Sequence, residues 1–238
     1  AAALDYLTRK DKPLTYLETH AGRGLYDLDA PEALKTGEAL SGIRRADAEG
    51  WLGAEHPLMR ALTAIRALRG PLTYPGSPLI AGHFLRFGDR AHLAELHPAE
   101  HEALRRVAGF ATIHHQDGFA MAQAVCPPEP RRGMLLIDPS YEVKADYAAI
   151  PRQIGMIARK WNVGVIALWY PILTDHRHMG MTAQLTSDFP DALLSEVAFA
   201  PARPGHSMVG SGMIVVNPPW GLADEAAGLE AMFRQRAL

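Results

Sequence analysis

Short apolar runs that stop abruptly at polar residues recur along this chain, with helical stretches between them. Leu135-Leu136-Ile137 ends at Asp138-Pro139, and Val163 to Tyr170 carries no charged residue at all. A strand without polar alternation is buried on both faces, which happens where helices cover a mostly parallel sheet. The same alternation continues on either side. Pro13 to Glu18, Ala91 to Leu96 and Thr112 to Asp117 read as further strands, the last running into a turn. Leu4 to Arg9, Leu79 to Leu85, Ala99 to Arg106, Gly118 to Val125 and Tyr147 to Trp161 read as helices. Glu196 to Pro201 and Met213 to Asn217 read as late, paired strands, and Tyr74 to Pro78 as a tight loop. The pattern predicts one α/β domain over residues 1–238. Ala30 to Leu68 is too long and too rich in Ala, Leu, Glu and Arg for a single crossover. It predicts a small helical insertion over about residues 30–72.

Composition narrows the class. Apolar residues make up 48% of 238, enough for a substantial core. The net charge of −2 advertises no general affinity for nucleic acid, although a local arginine patch can supply one. A single cysteine, Cys126, rules out a disulfide framework and a cysteine zinc site and fits a reducing cytoplasm. No apolar run reaches the roughly eighteen residues of a membrane span, and Ala1 to Leu4 has no signal-peptide pattern. It reads as mid-helix, as though further residues preceded it.

In an open parallel sheet, ligands bind at the carboxyl ends of the strands. Four predicted strands deliver an acid there: Glu18, Glu95, Asp117 and Asp138. Such an array suits a neutral or cationic ligand rich in hydroxyls. A carboxylate can accept both ribose hydroxyls, and an Asp can accept from an adenine amino group. The turn Ala21-Gly22-Arg23-Gly24 lacks G-x-G-x-x-G and follows an acid, which disfavours a pyrophosphate cofactor. Each position alone has a structural alternative: a small-residue turn, a solvated strand end for Glu95, a helix cap for Asp117. The eleven histidines, including His114-His115 and His176-Arg177-His178, have no metal-ligand spacing, so no metal is expected.

Asp138-Pro139-Ser140-Tyr141 fits chemistry on an exocyclic amine. Asn217-Pro218-Pro219-Trp220 matches the same pattern more closely by letters, but it follows a late strand beyond the acid array, where an edge strand leaves the sheet. The position in the strand order favours Asp138.

In order along the chain stand Thr19-His20-Ala21-Gly22-Arg23-Gly24, Tyr74-Pro75-Gly76-Ser77-Pro78, Glu95-Leu96-His97-Pro98, Asp117-Gly118-Phe119, Ile137-Asp138-Pro139, Tyr141-Glu142, Ala167-Leu168-Trp169-Tyr170-Pro171 and Ser211 to Trp220. From about Lys10 to about Trp220 the chain resembles the RlmJ family of bacterial 23S rRNA adenine-N6 methyltransferases. The resemblance implies a Rossmann-like methyltransferase fold and S-adenosylmethionine as methyl donor. It implies cofactor contacts from His20, Ser77, Glu95, Asp117 and Gly118, and a catalytic Asp138. Together with Pro139 and Tyr141, Asp138 would hold the target amine, with the Tyr141 ring stacked on the adenine and the base swung out of its helix. The expected partner is 23S rRNA, met by Arg44, Arg45, Arg60, Arg66, Arg69, Arg131 and Arg132. A cytoplasmic monomer is expected. Two departures stand out: Ser140 replaces the family's second proline, and the family's Arg/His-rich signature would lie ahead of Ala1. The competing readings are a DNA or protein-glutamine N-methyltransferase, and a non-catalytic nucleic-acid-binding protein on the same scaffold.

Overall fold

The computed structural model describes residues 1–29, 40–142, 145–201 and 205–236. Its centre is a seven-stranded sheet built from β1 (Thr15–Glu18), β4 (Arg90–Ala94), β5 (Thr112–His114), β6 (Gly133–Ile137), β7 (Val165–Leu173), β8 (Leu193–Ala198) and β9 (Met208–Val216). The spatial order is β5-β4-β1-β6-β7-β9-β8. The first five are mutually parallel, and β9 runs antiparallel between β7 and β8. β9 is therefore an interior strand, not the edge strand expected ahead of Asn217, and β8 is the edge. Past the Ile137–Leu168 pairing, β7 continues to Leu173 with only β9 beside it.

Alternate residues of each strand feed opposite faces, as a two-residue period requires. Leu17, Leu135, Ile137, Ile166 and Leu168 meet α6 (Gly118–Val125), α7 (Asp146–Lys160) and α8 (Met179–Asp188) through Met121, Ile150, Ile154, Trp161 and Leu185. Tyr16, Leu93, Met134, Ala167 and Val215 meet α1 (Ala2–Thr8), α3 (Pro57–Arg69), α4 (Ser77–Phe84) and α5 (Pro98–Val107) through Leu4, Leu7, Ala61, Ala81 and Leu104. Each fully buried large apolar side chain contributes about 1.5–3 kcal/mol. An apolar cavity of about 340 Å³ remains on this second face, between the sheet, α1, α3 and α9 (Leu222–Arg236), with Tyr16 and Ser77 in its lining.

Residues 30–39 of the expected insertion lie outside the described ones. From Leu40 a kinked helical stretch leads into the short α2 (Arg45–Ala48) and then α3. α3 starts where Pro57 presets the first turn and His56 Nδ1 accepts from Leu58 N–H at 3.1 Å. It ends at Gly70, whose φ of 114° few other residues adopt. On either side, β2 (Leu25–Asp27) and β3 (Thr73–Pro75) pair into a small antiparallel ribbon. The segment read as a loop from Tyr74 thus begins inside a strand. The ribbon brings Gly76 N–H to the Gly24 carbonyl at 2.8 Å and sets Ser77 beside the end of β1.

Candidate active site

The carboxyl ends of β5, β4, β1 and β6 are adjacent, and they carry Asp117, Glu95, Glu18 and Asp138 in that spatial order. Their surroundings differ. Glu95, just past β4, accepts two backbone N–H groups, from Gly22 at 2.8 Å and from His97 at 2.7 Å. It thereby ties the turn after β1 to the turn after β4. Asp117 is exposed and caps α6, accepting from Ala120 N–H at 2.8 Å, so the helix-cap role is present in the structure. Gly118 opens α6 so close to β1 that a Cβ there would lie 1.9 Å from the Thr19 carbonyl oxygen. Only glycine permits this approach of helix to strand.

His20 Nδ1 lies 2.7 Å from Thr19 Oγ1, and the ring stands edge-on to Phe119 at 5.7 Å. Burial holds its pKa below the usual histidine range, against the pull of Asp117, Glu95 and Asp146. Ser77 Oγ donates to Glu18 Oε1, and Tyr16 O–H donates to Glu18 Oε2 at 2.8 Å. Glu18 is fully buried, and burial pushes its carboxyl up to about 8. The two hydroxyl hydrogen bonds pull the other way, while Asp138 and Glu95 add to the rise. The sequence reading places Glu18 among the acids at the sheet edge without setting it apart from the other three. The signal was available: Tyr16 two residues earlier in the same strand shares its face.

Asp138 follows β6 and is half-buried, and burial raises its pKa to about 6. Among the described residues nothing donates to its carboxylate or to the Pro139 carbonyl. A carboxylate on a half-buried Asp138 and a carbonyl on a buried Pro139 thus follow one another at the end of β6. Tyr141 departs from expectation. Its ring is buried, packed at 4.7 Å from Tyr147 and 6.2 Å from Trp169, and its O–H donates to the Trp169 carbonyl at 2.7 Å. The structure turns this ring inward and gives it no open stacking face. Its φ of 57° lies in the left-handed region, where non-glycine residues need support from their surroundings.

Asn217 belongs to the other end of the sheet. Because β9 is reversed, its last residues reach the edge where β7 begins, and Asn217 Nδ2 donates to the carbonyls of Asn162 and Gly164 at 3.1 and 2.9 Å. Arg131 and Arg132 also lie at that edge, ahead of β6, with Arg132 bound to the Leu7 and Lys12 carbonyls. In the helical segment, Arg44, Arg45, Arg60 and Arg66 pair with Asp29, Glu49, Asp5 and Asp47. Of the histidine pairs, His114 sits by His92 and His115 stacks on His101. Among the described residues no group of three or more His, Cys, Asp or Glu could hold a metal ion. No helix there is long and apolar enough to cross a membrane.

A sheet of six parallel strands with one reversed strand set between the last two, with acids instead of a phosphate loop at its carboxyl edge, is the Rossmann-like fold of S-adenosylmethionine-dependent methyltransferases. Comparison with known proteins gives the same class. A family model described as "Ribosomal RNA large subunit methyltransferase D, RlmJ" matches residues 11–237. The chain belongs to this RlmJ family. It is 39% identical over 229 residues to ribosomal RNA large subunit methyltransferase J of Escherichia coli K12, covering 93% of this chain and 81% of that protein. It is 36% identical over 231 residues to the protein of the same name from Haemophilus influenzae Rd, covering 92% and 80%. A crystal structure of a protein from Legionella pneumophila strain Philadelphia 1 superposes with a TM-score of 0.84 at 33% identity, covering 99% of this chain and 90% of that one.

Proposed function

We propose that this protein transfers a methyl group from S-adenosylmethionine to N6 of an adenine in 23S rRNA. One observation carries the reading: the Asp138 carboxylate and the Pro139 carbonyl follow one another at the end of β6, and among the described residues nothing donates to either. An exocyclic amino group has two N–H donors and a lone pair delocalised into its ring. Giving both donors to Asp138 and the Pro139 carbonyl favours a pyramidal nitrogen and frees the lone pair. This is catalysis by positioning and by fixed charge.

The residues fit the cofactor. Glu95 is fixed by two backbone N–H groups and keeps lone pairs for two vicinal hydroxyls. Asp117 and Gly118 stand one strand further out, and His20 and Ser77 flank the end of β1. The site presents acids and no phosphate-binding turn, which suits a cationic nucleoside. The bound cofactor supplies an electrophilic methyl on a sulfonium. Asp138 also serves after the transfer. The methylated nitrogen is strongly acidic until it loses a proton, and the carboxylate stands ready to take it. Tyr141 acts as a packed support for this turn, bracing Asp138-Pro139 against Trp169.

Methyl transfer to undermodified 23S rRNA, assayed beside DNA and with Asp138→Ala as control, tests the reading. RNA methylation that vanishes in the variant, with cofactor binding retained in calorimetry, supports it. An active variant, or a preference for DNA, overturns it.

A further inference from the structure

Glu18 is the one acid of the four whose burial is complete, and the mechanism above leaves it without a role. Its surroundings are unusual for a carboxylate. Among the described residues its oxygens meet two hydroxyls and nothing else, Tyr16 on Oε2 and Ser77 on Oε1. Neither partner is a cation or a backbone N–H. The charged and titratable groups that bear on it from neighbouring elements are Asp138 after β6, Glu95 after β4, Tyr16 on β1 itself and Tyr26 on β2. All are acids or phenols. Tyr16 and Ser77 also line the apolar cavity on the second face of the sheet.

Glu95 provides the contrast. Two backbone N–H groups meet it, and an N–H can only donate. A hydroxyl can donate or accept. So the partners of Glu18 accommodate a carboxylic acid as readily as a carboxylate, whereas those of Glu95 do not. Two buried acids near one another cannot both ionise cheaply, and the more buried one keeps the proton. Asp138 is half-buried and Glu18 fully buried.

We propose that Glu18 stands in the working protein as an uncharged carboxylic acid that gives its O–H to Ser77 Oγ and accepts from Tyr16. The Ser77 hydroxyl hydrogen is then turned away from Glu18 and is free to donate to the bound cofactor. Only Asp138 then brings negative charge to the amine. Glu18 is a positioning residue, and its role rests on the cofactor reading above for what Ser77 meets. The raised affinity of the Glu18 carboxyl for its proton agrees with it.

Carbon-13 NMR of the full chain labelled in its glutamate carboxyls, with the Glu18 signal assigned by its loss in Glu18→Gln, reads the charge directly. A midpoint near 8 is expected, and a midpoint near the ordinary 4.5 overturns the proposal. Calorimetry reads the consequence. A glutamine can donate to Ser77 and accept from Tyr16, so Glu18→Gln should hold S-adenosylmethionine at pH 7 within about threefold of the parent chain and lose the parent's decline above pH 8. Its preference for S-adenosylmethionine over the uncharged S-adenosylhomocysteine should be unchanged. A tenfold loss of affinity at pH 7 with an unchanged melting temperature, or a lost preference for the cation, would show that Glu18 works as an anion. Should Glu18→Gln not fold, through-bond correlation to the assigned backbone identifies the Glu18 carboxyl in the parent chain, and its titration is read there. Ser77→Ala should then bind the cofactor about tenfold more weakly, and undiminished affinity overturns the role given to Ser77. None of these readouts involves RNA, so a failed rRNA assay leaves them intact.

Discussion

At the residue scale, the pKa of Asp138 sets the pH at which the site can work. The carboxylate must accept from an amine, so it must be ionised. Burial moves its proton loss from the ordinary 3.8 up to about 6. Below that value the charge is lost and one carboxyl oxygen becomes a donor, so the pairing weakens. Methylation with cofactor saturating should therefore decline as pH falls through about 6, not near 4, in a pH–rate profile. Asp138→Asn keeps the size and one acceptor oxygen but removes the charge, and should lower the rate by about 10²-fold. Ser140 offers a different test. It is exposed, and no described carbonyl takes its N–H, so a proline costs no hydrogen bond there. Ser140→Pro should stabilise the chain by about 0.4–1 kcal/mol in denaturant unfolding and speed methylation by stiffening the turn. The sequence exposed the identity of these residues but not the fate of Tyr141. Whether an aromatic at a strand end faces a ligand or the core depends on what packs behind it: Tyr147 comes from the first turn of α7 and Trp169 from the neighbouring strand β7.

At the scale of elements, the contact between α6 and β1 is the most demanding joint near the site. An added Cβ at Gly118 meets the Thr19 carbonyl, and neither backbone can yield without moving Thr19 and His20. Gly118→Ala should cost about 1–3 kcal/mol in unfolding experiments and weaken cofactor binding together with it. The strands of the sheet were legible because their apolar runs need no long-range information. The β2–β3 ribbon was not. Its two strands have three residues each and lie over forty positions apart, so neither carries a periodic signal. α8 was hidden for another reason. Its Thr182 and Thr186 have modest helix preference, and their hydroxyls bond back to carbonyls one turn earlier, at Met179, Thr182 and Ala183. α9 buries little beyond Ala226, which leaves only a faint stripe to read.

For the whole molecule, Glu18 imposes a pH dependence on stability. Its proton affinity is raised on folding, from 4.5 to about 8. Its contribution is therefore fully present below about 4.5 and is lost as pH climbs to about 8. Glu18→Gln removes the liability. The gain of the variant over the parent should grow by up to about 1.4 kcal/mol per pH unit across that window and then level off, as followed by thermal unfolding. A gap that does not change with pH would mean that Glu18 ionises normally in the fold. The charge of the helical segment is also a property of the whole. Reading arginines along a helical segment overstates it, because Asp5, Asp29, Asp47 and Glu49 already claim four of them.

The reversal of β9 gives the sheet a parity. A short word at the end of a strand means one thing when the strand runs with its neighbours and another when it runs against them. Asp138-Pro139 and Asn217-Pro218-Pro219-Trp220 are near-synonyms in spelling, yet one opens onto the acid edge and the other clamps the start of β7 from the far side. Grafting the better-spelled word into the first position, or the worse-spelled one into the second, would exchange letters without exchanging ends. For chains built on this sheet, direction of travel has to be settled before a motif can be translated.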